Sequence, residues 1–121
     1  MSIRKVLIID DSATDREVLG SMLERHGFRV LHAHDGEQGV ALARGEFPDL
    51  ILMDIVMPAM NGFQATRTLA RDPLTRHIPI VVCSSKGETT DRVWGMRQGA
   101  KDYIVKPVVA AELMSKISAL A

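Results

Sequence analysis

Four consecutive apolar residues, Leu50-Ile51-Leu52-Met53, run straight into Asp54, and Pro58 closes the segment. The run is too short for a buried helix and shows no polar alternation. That combination marks a strand covered on both faces, the kind found in parallel sheets sandwiched between helices. Open α/β sheets carry their reactive groups at the carboxyl ends of such strands. Asp54 stands at that end, so the stretch predicts both the layer architecture and a candidate reactive carboxylate.

The rest of the chain repeats the theme. Val6-Leu7-Ile8-Ile9 reads as a first strand ending at Asp10-Asp11. Ser12 or Thr14 can cap the helix that follows, Thr14 with Glu17 as a capping box, and that helix carries Val18, Leu19, Met22 and Leu23 on one face before Gly27. Phe28 to Ala33 is a more polar strand, expected near an edge. Asp35-Gly36 turns into a second helix from Glu37 to about Arg44, which Gly39 weakens. Asn61-Gly62 opens a third helix with Phe63, Thr66 and Leu69, ended by Asp72-Pro73. Ile80-Val81-Val82-Cys83 is a fourth strand ending at Ser84-Ser85. Thr89 or Thr90 can cap a fourth helix through Val93, Trp94 and Met96. Tyr103-Ile104-Val105 is a fifth strand ending at Lys106-Pro107, and Leu113, Met114, Ile117 and Leu120 mark a fifth helix.

Five βα units imply an all-parallel sheet with helices on both faces. Right-handed crossovers leave few topologies. The order 2-1-3-4-5 brings strands one and three together and gathers Asp10, Asp11, Asp54, Ser84 and Lys106 at one edge. Three neighbouring carboxylates repel unless a cation intervenes. Lys106 offers one cation, and an all-oxygen carboxylate set suits Mg2+ as a second. Phosphoryl transfer needs mainly such positioning and charge stabilisation. Asp54 could then attack phosphorus to form an acyl phosphate, with the Ser84 hydroxyl donating a hydrogen bond to it.

Composition sets limits. The chain has 121 residues, one domain's length, with 15 basic and 15 acidic side chains. That balance gives no reason to expect a nucleic-acid or membrane partner. No apolar run approaches the ~20 residues that span a bilayer. The single cysteine, Cys83, cannot form an internal disulfide and reads as an inert buried thiol, so a cytoplasmic protein is expected.

Taken together, I-I-D-D-S at 8–12, L-M-D-I-V-M-P at 52–58, N-G at 61–62, V-C-S-S at 82–85, G-A-K-D-Y at 99–103 and V-K-P at 105–107 resemble the response-regulator receiver domains of the CheY type. The motifs cover essentially the whole chain in the family's order. Within the family, V-M-P-A-M-N-G-F-Q-A-T-R at 56–67 and V-W-G-M-R-Q-G-A-K-D-Y at 93–103 look most like the stand-alone twitching-motility regulators. The resemblance implies a flavodoxin-like doubly wound α/β fold with five strands and five helices. The strand order given above is that fold's own and so is not independent of it.

The resemblance also implies roles. Asp54 would be the phosphoacceptor. Asp10, Asp11 and Asp54, with the backbone carbonyl of Val56, would hold Mg2+. Ser84 and Tyr103 would be the switch pair and Lys106 the phosphate contact, with a cis Lys106-Pro107 bond. A CheA-like sensor histidine kinase would donate the phosphoryl group, and output would pass by protein contact through helix four, strand five and helix five, where Trp94, Met96 and Tyr103 lie. The unit expected is one monomeric receiver domain over residues 1–121 with no output domain, a switch that catalyses only its own phosphorylation and dephosphorylation.

Plainer explanations stand beside these. Asp10 and Asp11 alone would pass for turn residues, Lys106 for a solvated charge, and Tyr103 for a half-buried edge aromatic. Trp94 suits core packing and partner contact equally. His32 and His34 lack the third ligand of a metal site. Three other function classes compete with this reading. A haloacid-dehalogenase-type phosphatase needs a carboxylate two residues after its nucleophile, where Val56 stands. A flavodoxin-like nucleotide or flavin binder needs a Gly- or Ser/Thr-rich phosphate loop where Asp10-Asp11 stand. A phosphorylation-silent scaffold of the same fold is opposed by the complete polar set.

Overall fold

The computed structural model describes residues 2–121. Its elements are β1 (Lys5–Ile9), α1 (Ala13–Arg25), β2 (Arg29–Ala33), α2 (Gly36–Glu46), β3 (Leu50–Met53), α3 (Gly62–Arg71), β4 (Ile80–Ser84), α4 (Thr89–Gln98), β5 (Asp102–Val105) and α5 (Ala110–Leu120). The strands form one parallel sheet in the order β2-β1-β3-β4-β5. Every crossover runs over a helix, so every strand's carboxyl end lies at the same edge.

Strand periodicity divides the core. Val6, Ile8, Leu50, Leu52, Val81, Cys83 and Ile104 point to one face and pack against Leu19 and Leu23 of α1 and Leu113 and Ile117 of α5. Leu7, Ile9, Ile51, Met53 and Ile80 point to the other, against Val40 and Ala43 of α2 and Ala65 and Leu69 of α3. All four residues of β3 are buried. Each such side chain contributes about 1.5–3 kcal/mol of gross transfer energy, which makes β3 the sheet's centre. At the edge, β2 is exposed at Arg29 and His32, half-buried at Val30 and Leu31, and buried at Ala33.

Local chemistry sets the helix starts. Ser12 caps α1 by accepting from the Asp15 amide at 3.2 Å, so Thr14 lies inside the helix and the expected Thr14–Glu17 box does not form. Val18 is 49% exposed, contrary to the face expected for it. The i, i+4 pair Leu19 and Leu23 takes the core, and Val18 points about 100° away from Leu19. Asp35 caps α2 through the Gln38 amide at 2.7 Å. Asn61 and Gln64 close a reciprocal capping box on α3 at 2.9 and 3.0 Å. On α4 the cap residue is Glu88 rather than Thr89 or Thr90, with Asp91 reaching back to the Glu88 amide at 3.2 Å.

Gly39, which looks like a helix weakness, is a packing requirement. A Cβ on Gly39 would lie 2.4 Å from the Ile9 side chain, so α2 reaches β1 only with glycine there. Gly95 is the buried residue of α4, facing the Tyr103 ring and Phe63, while Val93, Trp94 and Met96 are exposed. The apolar bulk of α4 thus points outward, the reverse of an ordinary amphipathic helix.

Candidate functional site

Backbone ladders extend one residue past three strands and fix the site. Asp10 N–H donates to the Ala33 carbonyl at 3.0 Å, Asp54 N–H to Ile9 at 2.9 Å, and Lys106 N–H to Ser84 at 2.9 Å. Asp10, Asp54, Ser84 and Lys106 therefore project from adjacent strand ends. Asp10 is 2% and Asp54 7% exposed, while Asp11 faces solvent.

One carboxylate oxygen from each of Asp10, Asp11 and Asp54 lies within 4.8 Å of the others, and this is the one such cluster of metal-ligating side chains among the described residues. At that spacing each ionised pair repels by about 3–4 kcal/mol at an effective dielectric of about 20. His32 and His34 take no part in such a cluster, and His34 instead lies 3.2 Å from Asp35.

Lys106 supplies the resident positive charge. Its Nζ donates to Asp10 Oδ2 at 2.8 Å and to Asp15 Oδ2 at 2.7 Å, and stands 3.6 Å from Asp54 Oδ2. Burial works against the ammonium, but Asp10, Asp15 and Asp54 outweigh it and hold its pKa above the usual lysine value. The Asp54 pKa is raised as well, which here disfavours the charged form. Burial, then the charge of Asp10, raise its pKa; Lys106, the Ser84 hydroxyl and the Ile55 amide oppose this without cancelling it. The Ile55 N–H donates to Asp54 Oδ1 at 2.8 Å and the Ser12 N–H to Asp10 Oδ1 at 2.9 Å, which fixes both carboxylates against rotation. A hard, all-oxygen donor set with excess negative charge fits a small divalent cation such as Mg2+.

Gly62 completes the frame from behind. Its N–H donates to the Ile55 carbonyl at 2.8 Å, and a Cβ there would fall 2.0 Å from the Asp54 carbonyl oxygen. The α3 N-terminus can sit against the Asp54 backbone only because residue 62 is glycine. Nearby, Ala59 takes a left-handed φ of 60° in the β3–α3 loop, and Val56 lies 52% exposed two residues beyond Asp54.

The site continues towards α4. Ser84 is fully buried, and its Oγ accepts from the Lys86 N–H at 3.3 Å. Tyr103 is 4% exposed rather than half-buried, because Ile55, Val82, Ala100 and Phe63 enclose its ring. Its hydroxyl donates to the Lys86 carbonyl, and Arg92 stands 5.7 Å from its centroid. Burial pushes the phenol pKa up to about 12. Of the three residues expected on an output surface, Trp94 and Met96 are exposed on α4 while Tyr103 lies beneath Gly95. Trp94 meets Phe63 edge-on at 6.4 Å. The Lys106-Pro107 peptide is cis.

Two residues escaped the sequence reading. Asp15 binds Lys106, and Arg16 Nη1 donates to the Asp10 carbonyl at 2.6 Å. Along the chain nothing sets Asp15 apart from an ordinary first-turn acid; the fold brings it to Lys106.

A doubly wound sheet in this order, with acids after β1 and β3, a hydroxyl ending β4 and a lysine after β5, defines a class. The chain belongs to the response regulator receiver domain family, whose pattern matches residues 6–118. It is 53% identical to the protein PilH of Pseudomonas aeruginosa over 96% of each chain. Among solved structures it is similar to the chemotaxis protein CheY4 of Vibrio cholerae, with a TM-score of 0.92 and 27% identity over 99% of this chain and all of that one. It also resembles a chain of the CheX–CheY–BeF3–Mg complex of Borrelia burgdorferi, with a TM-score of 0.90 and 26% identity over 97% of this chain and 88% of that one. Among the described residues, no helix is long and apolar enough to cross a membrane.

Proposed function

We propose that Asp54 is the phosphoacceptor of a two-component phosphorelay and that the chain works as a phosphorylation switch. The observation that carries this is the convergence of Asp54, Asp10 and Asp11 within 4.8 Å beside the Lys106 ammonium. Asp10, Asp11 and Asp54, with the Val56 carbonyl, would hold Mg2+, which when bound would neutralise phosphoryl oxygens and orient them for in-line attack. Asp54 supplies the nucleophilic oxygen. Its Oδ1 is held by the Ile55 amide, which leaves Oδ2 on the Lys106 side to attack phosphorus as the P–N bond of the donor phosphohistidine breaks and the imidazole leaves with the electron pair. Lys106 then offsets the charge left on the phosphoryl group, and the Ser84 hydroxyl turns from the Lys86 amide to donate to it.

That turn is the start of the signal. Ser84 and Tyr103 both hold the Lys86 backbone, one at its N–H and the other at its carbonyl. Drawing Ser84 towards Asp54 perturbs the Lys86 segment and removes the acceptor that keeps Tyr103 inward. Gly95 of α4 faces this ring, and the exposed Trp94 and Met96 on either side of it in the chain would carry the change to a partner by a population shift. The domain turns over only its own phosphoryl group.

A CheA-like sensor histidine kinase is the proposed donor, in a pilus, twitching or chemotaxis-like motility pathway. The likeness to PilH and to the two CheY chains supports this. A monomeric, cytoplasmic receiver fits the same picture. Phosphotransfer from a CheA-like kinase carrying labelled phosphohistidine tests it. Label should move rapidly to wild type and not to Asp54→Asn. Label that stays on such kinases, while a small acyl phosphate still modifies Asp54, would assign the charging to another source.

A further inference from the structure

Lys106 has three carboxylates around it, and its two hydrogen bonds go to Asp10 and Asp15, not to Asp54. On the reading above, Asp10 must also serve a divalent cation. Lys106 and the cation therefore compete for the same Asp10 carboxylate, and a cation that takes Oδ2 displaces Lys106 from it. An ammonium held at 16% side-chain exposure loses much of its hydration, so giving up an acceptor is costly unless another stands within reach. Asp15 is that other acceptor. It projects from the first turn of α1, at 2.7 Å from Nζ, and its own side chain is 43% exposed, so water stabilises it in either arrangement. Asp15 and Lys106 line one open groove of about 440 Å3 with Val18, Leu19, Pro107 and Val108, which gives the pair room to rearrange.

We infer that Asp15 is a positioning residue for Lys106, a parking acceptor that retains the ammonium when a divalent cation claims Asp10 and so lowers the cost of metal entry. The inference rests on the reading that Asp10, Asp11 and Asp54 hold the metal. Asp15 touches neither metal nor phosphoryl group; it acts through Lys106. With Asp15 absent, Lys106 bears entirely on Asp10 and Asp54, and the metal has to displace it against a larger loss.

Calorimetric titration with Mg2+ alone tests this on wild type, Asp15→Asn, Asp15→Glu, Lys106→Met and the double variant Asp15→Asn/Lys106→Met. A partly exposed ion pair is worth a modest factor, so Asp15→Asn should weaken Mg2+ binding by roughly three- to fivefold. Asp15→Glu, which keeps an acceptor within reach, should stay within about twofold of wild type. Lys106→Met should bind more tightly than wild type, because the competitor for Asp10 is gone. In that background Asp15→Asn should change nothing. The double variant separates the two explanations, since a plain charge effect of Asp15 on the metal would survive loss of Lys106. Equal affinity of wild type and Asp15→Asn, or the same weakening with and without Lys106, would overturn the inference and leave the phosphoacceptor reading standing. A wild-type chain that binds no Mg2+ would overturn both.

Discussion

Replacing Gly62 by alanine separates two physical effects of opposite sign. Gly62 is the first residue of α3, where helix propensity alone favours alanine by about 1 kcal/mol. The surroundings decide otherwise. The new Cβ would lie 2.0 Å from the Asp54 carbonyl oxygen and 2.6 Å from the Ile55 Cα, contacts real Cβ atoms do not make. Both obstacles are backbone, so no side-chain rotation relieves them. The α3 N-terminus must withdraw by about 1 Å, which costs about 1–3 kcal/mol as overpacking. Withdrawal also strains the 2.8 Å hydrogen bond from the Gly62 N–H to the Ile55 carbonyl, worth about 1 kcal/mol more. The net expectation is a loss of about 1–3 kcal/mol. For a domain of this size that lowers Tm by roughly 3–15 °C. Thermal unfolding followed by circular dichroism measures it. Because the displaced atoms belong to Asp54 and Ile55, uptake of a phosphoryl group should fall in the same variant. A Gly62→Ala protein that melts at or above the wild-type temperature would refute the reasoning, showing that helix propensity outweighs the close approach.

Three further outcomes follow from the same geometry. The raised Asp54 pKa means that its ionised form opposes folding, so its contribution worsens as pH rises from the unfolded value of 3.8 through the folded one. Asp54→Asn should therefore melt higher than wild type at neutral pH without divalent cations, and the difference should fade as the solution is acidified; equal melting across the range would contradict it. Cys83 is fully enclosed and burial pushes its thiol pKa up to about 12, so a thiol reagent at about pH 8 should leave the native chain unlabelled while reacting promptly with the denatured one. Tyr103→Phe removes the donor to the Lys86 carbonyl and should cost about 1 kcal/mol in urea unfolding. Hydrogen exchange should also quicken in the loop over residues 85–88, and unchanged exchange would argue that the hydroxyl holds nothing.

The sheet was readable in advance because its central strands are buried on both faces. Runs such as Leu50 to Met53 and Ile80 to Cys83 have no amphipathic alternative, and each ends on a polar residue that the topology then aligns. What could not be read depends on which neighbour fills a space. Gly39 appears as a helix weakness along the chain, yet it admits a side chain distant in sequence, that of Ile9. On α4 the Tyr103 ring faces Gly95, and Val93, Trp94 and Met96 lie on the exposed side of the helix. Asp15 was invisible for a similar reason, since its partner Lys106 lies 91 residues away and nothing in the first turn of a helix tells a pairing acid from a solvated one.

The central claim is that Asp54 is a nucleophile for phosphorus. Intact-mass measurement after incubation with Mg2+ and a small acyl-phosphate donor tests it, on wild type beside Asp54→Asn. The account predicts a single added phosphoryl group on wild type, labile to base, dependent on the divalent cation and missing from the variant. An unmodified wild-type chain that nevertheless binds Mg2+, or the same adduct on Asp54→Asn, would contradict it.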